Sequence, residues 1–108
     1  MEKNSLKKSQ KACSIKDVLD IIGGKWAMPI IYNLSKGKLR FKEIERTIEG
    51  INTRMLVKEL KNLEANGIIT RKVFASVPPA VEYKLTLKGE KLLPSIKSLH
   101  QWGQEFAT

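Results

Sequence analysis

Residues 41–67, FKEIERTIEGINTRMLVKELKNLEANG, decide how this chain folds. Phe41, Ile44 and Ile48 recur at helical spacing, so residues 41–48 form a short helix with one apolar side. Glu49-Gly50-Ile51 then makes a tight connection. Asn52 suits an N-cap, because its side-chain oxygen can accept a free backbone N–H of the first helical turn. Behind it Leu56, Leu60 and Leu63 stand at i, i+4 and i+7, the stripe of an amphipathic helix. Asn66-Gly67 stops that helix, since both residue types tolerate the left-handed conformation common at helix ends. A short helix, a three-residue turn and a longer helix make a helix-turn-helix.

The longer helix separates two kinds of side chain. At about 100° per residue, Arg54, Lys58, Lys61 and Ala65 point nearly opposite the three leucines, with Thr53 and Val57 on the flanks. One face is core and the other basic, ending in a small residue. Arg54 and Lys58 can reach guanine O6 and N7, and Val57 can meet a thymine methyl. Asn52 and Thr53 stand where free N–H groups and the helix dipole favour a phosphate. An ordinary amphipathic helix with a solvated basic face has the same layout. The exposed Val57 beside two cations favours DNA.

The pattern extends outward on both sides. Ser14 can cap a first helix carrying Ile15, Val18, Leu19 and Ile22, which Gly23-Gly24 ends. A second helix is expected over residues 25–35, with Trp26, Ile30, Ile31 and Leu34 as its apolar stripe. Pro29 requires it to start near Lys25, because proline is tolerated only where the N–H has no helical partner. Lys36-Gly37-Lys38 turns the chain. After Gly67, residues 68–75 are rich in β-branched types, Pro78-Pro79 marks a loop, and Val81, Tyr83 and Leu85 alternate with Glu82, Lys84 and Thr86. This is a β-hairpin. Thr86 can cap a last helix with an apolar face at Leu92, Ile96, Leu99 and Phe106, and Pro94 calls for a kink or a fresh start within it. The fold class is α+β, mainly α: a winged helix-turn-helix with a two-stranded wing.

Composition agrees. The chain has 108 residues, enough for one domain with a modest core. Lys plus Arg number 20 and Asp plus Glu 11, a formal charge of +9, which points to a polyanionic partner, nucleic acid before membrane. Lys36, Lys38 and Arg40 precede the short helix, and Arg71 and Lys72 lie on the first wing strand. Each suits a phosphate better than a base. Residues 1–12 carry lysines at 3, 7, 8 and 11 and read as a flexible basic tail, either plainly solvated or touching phosphates, ahead of a domain at 13–108. One cysteine and one histidine preclude a structural zinc finger and an internal disulfide, which fits a reducing cytosol. No apolar run approaches the ~20 residues of a membrane span, and no secretory signal is visible.

One set of residues carries a resemblance: Cys13, Gly23-Gly24-Lys25-Trp26, Gly37, Arg40-Phe41, Ile51, Leu56, Leu60, Leu63-Glu64, Gly67, Arg71, Pro78-Pro79, Val81-Glu82-Tyr83, Leu85-Thr86, Gly89 and Trp102. With these residues the chain resembles the HxlR family, bacterial winged-helix regulators related to the MarR group. The match runs from residue 13 to about 103, and GGKW, RF, PPxVEYxLT and the late Trp-Gly are specific in combination. The resemblance implies a cytoplasmic, nucleoid-associated homodimer that regulates transcription from a two-fold symmetric operator. It implies N- and C-terminal dimerisation helices, with Ile15, Leu19, Leu92, Ile96, Leu99, Trp102 and Phe106 at the interface. Part of that stripe can instead cover the domain's own core.

The resemblance also bears on Cys13. Family members often carry a cysteine there, usually followed by proline, and some sense oxidants or electrophiles through it. Ser14 replaces that proline here. A cysteine before a helix N-terminus, with Lys11 and Lys16 near, favours thiolate and hence reactivity. The alternative is a small buried hydrophobe. With no second cysteine, a sensor needs an adduct, a mixed disulfide or a bond to the partner subunit.

Nothing else in the sequence points to other chemistry. His100 has no second metal ligand near it and reads as a surface or interface residue. Trp26 and Trp102 read as packing residues, and Glu43, Glu45 and Glu49 as a solvated helix face. No catalytic set, phosphate loop or paired-carboxylate motif appears, so an enzyme is not expected, nor a metal or other cofactor. The sequence does not say whether a small-molecule effector exists. The alternative to a DNA-binding regulator is a winged-helix module that docks on protein, which need not keep Arg54, Lys58 and Lys61 all outward.

Overall fold

A computed structural model describes residues 14–107 of the chain. Its elements are α1 (Ile15–Ile22), α2 (Ala27–Leu34), β1 (Leu39–Arg40), α3 (Phe41–Thr47), α4 (Thr53–Ala65), β2 (Ile69–Phe74), β3 (Ala80–Leu85), α5 (Leu87–Glu90) and α6 (Leu93–Phe106). The basic stretch 1–12 and Cys13 lie outside the described residues.

Local chemistry sets the helix ends. At α1 the Ser14 hydroxyl accepts the Asp17 N–H, and the Asp17 carboxylate accepts the Ser14 N–H in return. α2 begins at Ala27 rather than Lys25, with Trp26 as its N-cap. The Trp26 carbonyl accepts the Ile30 N–H at 3.1 Å, so Pro29 sits in the first turn and breaks no helical bond. The Asn52 side chain caps α4 by accepting the Met55 N–H at 2.8 Å. Thr86 caps α5 through the Gly89 N–H and donates its hydroxyl to the Gly67 carbonyl. Pro94 produces a fresh start: α5 ends at Glu90, and α6 opens at Leu93 with the proline in its first turn.

The sheet has the order β1-β3-β2 and is antiparallel throughout. The wing hairpin therefore has a third strand at its base, where Leu39 pairs with Tyr83 and Arg40 with Glu82. Two residues are too few for alternation to show, which is why the sequence pattern read this segment as a turn.

The turn between α3 and α4 holds the two helices of the motif. Gly50 has φ 88°, the left-handed region, and a Cβ there would stand 3.4 Å from the Trp26 ring. Leu56, Leu60 and Leu63 face a core built from Ile30, Ile31 and Leu34 of α2 and Ile44 and Ile48 of the short-helix segment. Ile69, Tyr83 and Leu85 close that core from the sheet, and Ile96 closes it from α6. Each fully buried Leu or Ile stabilises the fold by roughly 1.5–3 kcal/mol, so the inward leucine stripe fixes the outward basic one. No described helix is long and apolar enough to cross a membrane.

Candidate nucleic-acid interface

With its leucines buried, α4 turns Arg54, Lys58, Lys61 and Ala65 to solvent, and Val57 lies 36% exposed between the cations. Asn52 and Thr53 are exposed at its start, but both have internal partners. The Asn52 side-chain oxygen is committed to the cap, leaving its NH2 group for a ligand. The Thr53 hydroxyl donates to the Glu45 carboxylate, whose other oxygen lies 3.8 Å from Lys42 Nζ. Glu45 is therefore a positioning contact for the first residue of α4. Glu43 also has a structural task, accepting the Arg40 N–H at 2.8 Å. Sequence reasoning had read both carboxylates as part of a solvated face; neither contact shows in local periodicity.

The wing register separates two residues adjacent in sequence. Arg71 pairs with Tyr83 and Lys72 with Glu82. Cross-strand partners share a face, and successive residues take opposite faces. Arg71 consequently joins Val57, Lys61, Glu64 and Tyr83 around a cleft of about 400 Å³ between α4 and β2. Lys72 lies on the other face, with its Nζ 5.0 Å from the centre of the Phe74 ring. Its cross-strand neighbour Glu82 is also reached by Lys38, at 3.6 Å. Arg71 thus shares a groove with the exposed face of α4, and Lys72 does not. Arg40, at the end of β1, is exposed at the start of α3.

A second surface is apolar. Ile15 (74% exposed) and Leu19 on α1 are open to solvent, as are Leu99, Trp102 (58%) and Phe106 on α6. The Trp102 and Phe106 rings touch each other, with centroids 5.7 Å apart. Leu92 and Ile96, expected in the same stripe, instead pack into this chain's own core, because the first turns of α6 lie on it. His100 stacks on Tyr32 of α2 at 5.8 Å between centroids.

The comparisons agree with this geometry. An uncharacterized HTH-type transcriptional regulator of Methanothermobacter thermautotrophicus is 44% identical over 96 residues, spanning 89% of this chain and 73% of its own. The solved structure of the redox regulator HypR in its oxidized form is 43% identical, with a TM-score of 0.81 over 86% of this chain and 96% of that one. The reduced form of the transcriptional regulator YodB from Bacillus subtilis is 36% identical, with a TM-score of 0.76 over 89% of this chain and 95% of that one. A family model described as HxlR-like helix-turn-helix matches residues 21–108. The chain belongs to this family, HxlR-like helix-turn-helix proteins that are transcriptional regulators and not enzymes.

Proposed function

We propose that the protein is a homodimeric, sequence-specific DNA-binding regulator acting in the cytoplasm. The observation that carries this reading is the outward face of α4, where Arg54, Val57, Lys58 and Lys61 stand free above a buried leucine stripe. Arg54, Val57 and Lys58 read base edges in a major groove. Asn52, Thr53, Lys61, Arg40 and Arg71 hold phosphates, with Lys72 a weaker contributor from the far face of the wing. The dimer forms through Ile15, Leu19, Leu99, Trp102 and Phe106. It sets two recognition helices against two half-sites of a symmetric operator, about one helical turn apart or a multiple of it.

Fluorescence anisotropy tests this. The probe is the duplex upstream of the protein's own gene, with a scrambled duplex of equal length as control, at ~0.15 M salt, where non-specific attraction is already screened. A preference of ~10³ or more is expected. Equal, weak binding to both duplexes overturns specific recognition at that site.

Thiol-based regulation belongs to the same proposal. HypR has been solved oxidized and reduced, and YodB reduced and diamide-treated. Cys13 is the one cysteine of this chain, so any thiol response runs through it. Modification there changes the span or tilt between the two recognition helices and so the fit to both grooves. Cys13→Ser should abolish the response of DNA binding to an oxidant or electrophile. A response that survives the substitution removes the cysteine from the mechanism.

A further inference from the structure

Between the start of α3 and the tip of the wing runs an open cleft of about 740 Å³. One wall carries Arg40, Lys42 and Arg46, and the other is Ser76-Val77-Pro78-Pro79. Phe41 and Val81, both half-buried, lie between them.

The walls differ in kind. Arg40 and Arg46 are exposed, and neither guanidinium makes an ion pair within the described residues. Lys42 reaches Glu45 only at 3.8 Å. The one carboxylate lining the cleft, Glu43, already accepts the Arg40 backbone N–H. This wall therefore presents uncompensated positive charge. The wing wall presents none: residues 73–81, VFASVPPAV, contain no charged side chain. Val77 at the tip is fully exposed. A neutral apolar wall facing a cationic one fits a ligand that alternates anionic and apolar groups.

Shape and position narrow that ligand. Small-molecule sites enclose roughly 70–90% of their occupant, whereas this cleft has exposed residues along both walls. A chain passing through it is the better fit. The cleft also adjoins the recognition helix, because Lys42, Glu45 and Thr53 form a continuous run of contacts from its cationic wall to the first residue of α4. A duplex that takes α4 into its major groove carries its backbone past that end of the helix.

We propose that this cleft clasps one strand of the sugar–phosphate backbone beside each half-site. Arg40 and Arg46 neutralise phosphates, and Val77-Pro78-Pro79 pack against deoxyribose. The wing then adds contact without adding charge, and the electrostatic share at this flank comes from α3. This rests on the DNA-binding reading and assigns Arg46 and the wing tip a part in it.

Backbone contacts are independent of sequence, so the test needs no operator. The full-length protein is titrated against a mixed-sequence duplex of about three helical turns over a range of salt concentrations. Arg46→Ala should make the slope of log affinity against log salt shallower by about one. Val77→Lys places a cation on the neutral wall, and should tighten binding and steepen the slope by about one. Both positions are exposed, and unchanged circular-dichroism melts verify that both variants fold. A slope moved by neither variant, or by only one, overturns the clasp, since both walls must touch the same strand. If the wild type binds this duplex with an ordinary salt slope while the variants match it, the clasp alone fails. If the wild type binds no DNA, the broader reading fails and the clasp with it.

Discussion

Arg71 and Lys72 are neighbours in the chain and face opposite ways from one strand, and their environments set what each can give to DNA binding. Arg71 opens into the groove beside Lys61, while Lys72 lies over Phe74 on the face it shares with Glu82. Arg71→Ala should weaken binding to cognate and random duplexes alike and flatten the salt slope by about one. Lys72→Ala should move the slope by less, because Glu82 already offsets part of its charge. Salt titrations of the two variants side by side decide the order, and a larger effect at Lys72 would place the outer face of the wing on the DNA. Arg54 differs in kind. Arg54→Ala should cost about 1–3 kcal/mol on the cognate site and relax specificity, whereas equal loss on both duplexes would make it a phosphate contact. The basic face of α4 was legible in the sequence because it depends only on helical period. The division between Arg71 and Lys72 was not, because it depends on register with a strand on the far side of the wing loop. The Thr53–Glu45 contact was hidden for the same reason, being made between two helices across a turn.

Elements whose ends are written in local chemistry were readable to within a residue or two. Ser14, Asn52 and Thr86 each accept a backbone N–H three residues ahead, and Pro94 can stand only in a first turn. β1 carries no such signal, since what makes it a strand is Tyr83 and Glu82, distant in sequence. Gly89 shows a close approach of the same long-range kind. It lies buried in α5, and a Cβ built there would stand 2.3 Å from the Ile68 carbonyl oxygen. That oxygen is backbone, held by the Thr86 N–H and hydroxyl, so it cannot simply swing away. Gly89→Ala should therefore destabilise the protein by about 1–3 kcal/mol, as overpacking does. A urea melt measures it, and an unchanged midpoint would mean that α5 shifts freely against the end of β3.

Taken whole, the molecule has two surfaces of different chemistry, and the proposed dimer makes each depend on the other. The sequence pattern drew the α6 stripe as one face, but Leu92 and Ile96 turn inward while Leu99, Trp102 and Phe106 stay exposed. Periodicity marks which side of a helix is apolar and not what covers it. Specific interfaces bury about 800 Å² per partner, an area within reach of five large side chains and their neighbours. Full burial of each such side chain stabilises association by roughly 1.5–3 kcal/mol before the cost of ordering two bodies is subtracted. Joining two recognition helices makes the second half-site contact intramolecular, raising affinity by roughly 10²–10⁴ without any new protein–DNA contact. Trp102→Glu puts a charge into that stripe at a position that touches no buried core residue other than through α6 itself. The variant should keep its helical circular-dichroism signal, sediment as a monomer, and lose about 10² or more in affinity for a duplex with two half-sites. Its affinity for a duplex with one half-site should match the wild-type monomer's contribution, because α4 and the wing are untouched. A Trp102→Glu protein that still sediments as a dimer would move the interface off α6, and the two recognition helices would then need a different axis to meet a symmetric operator.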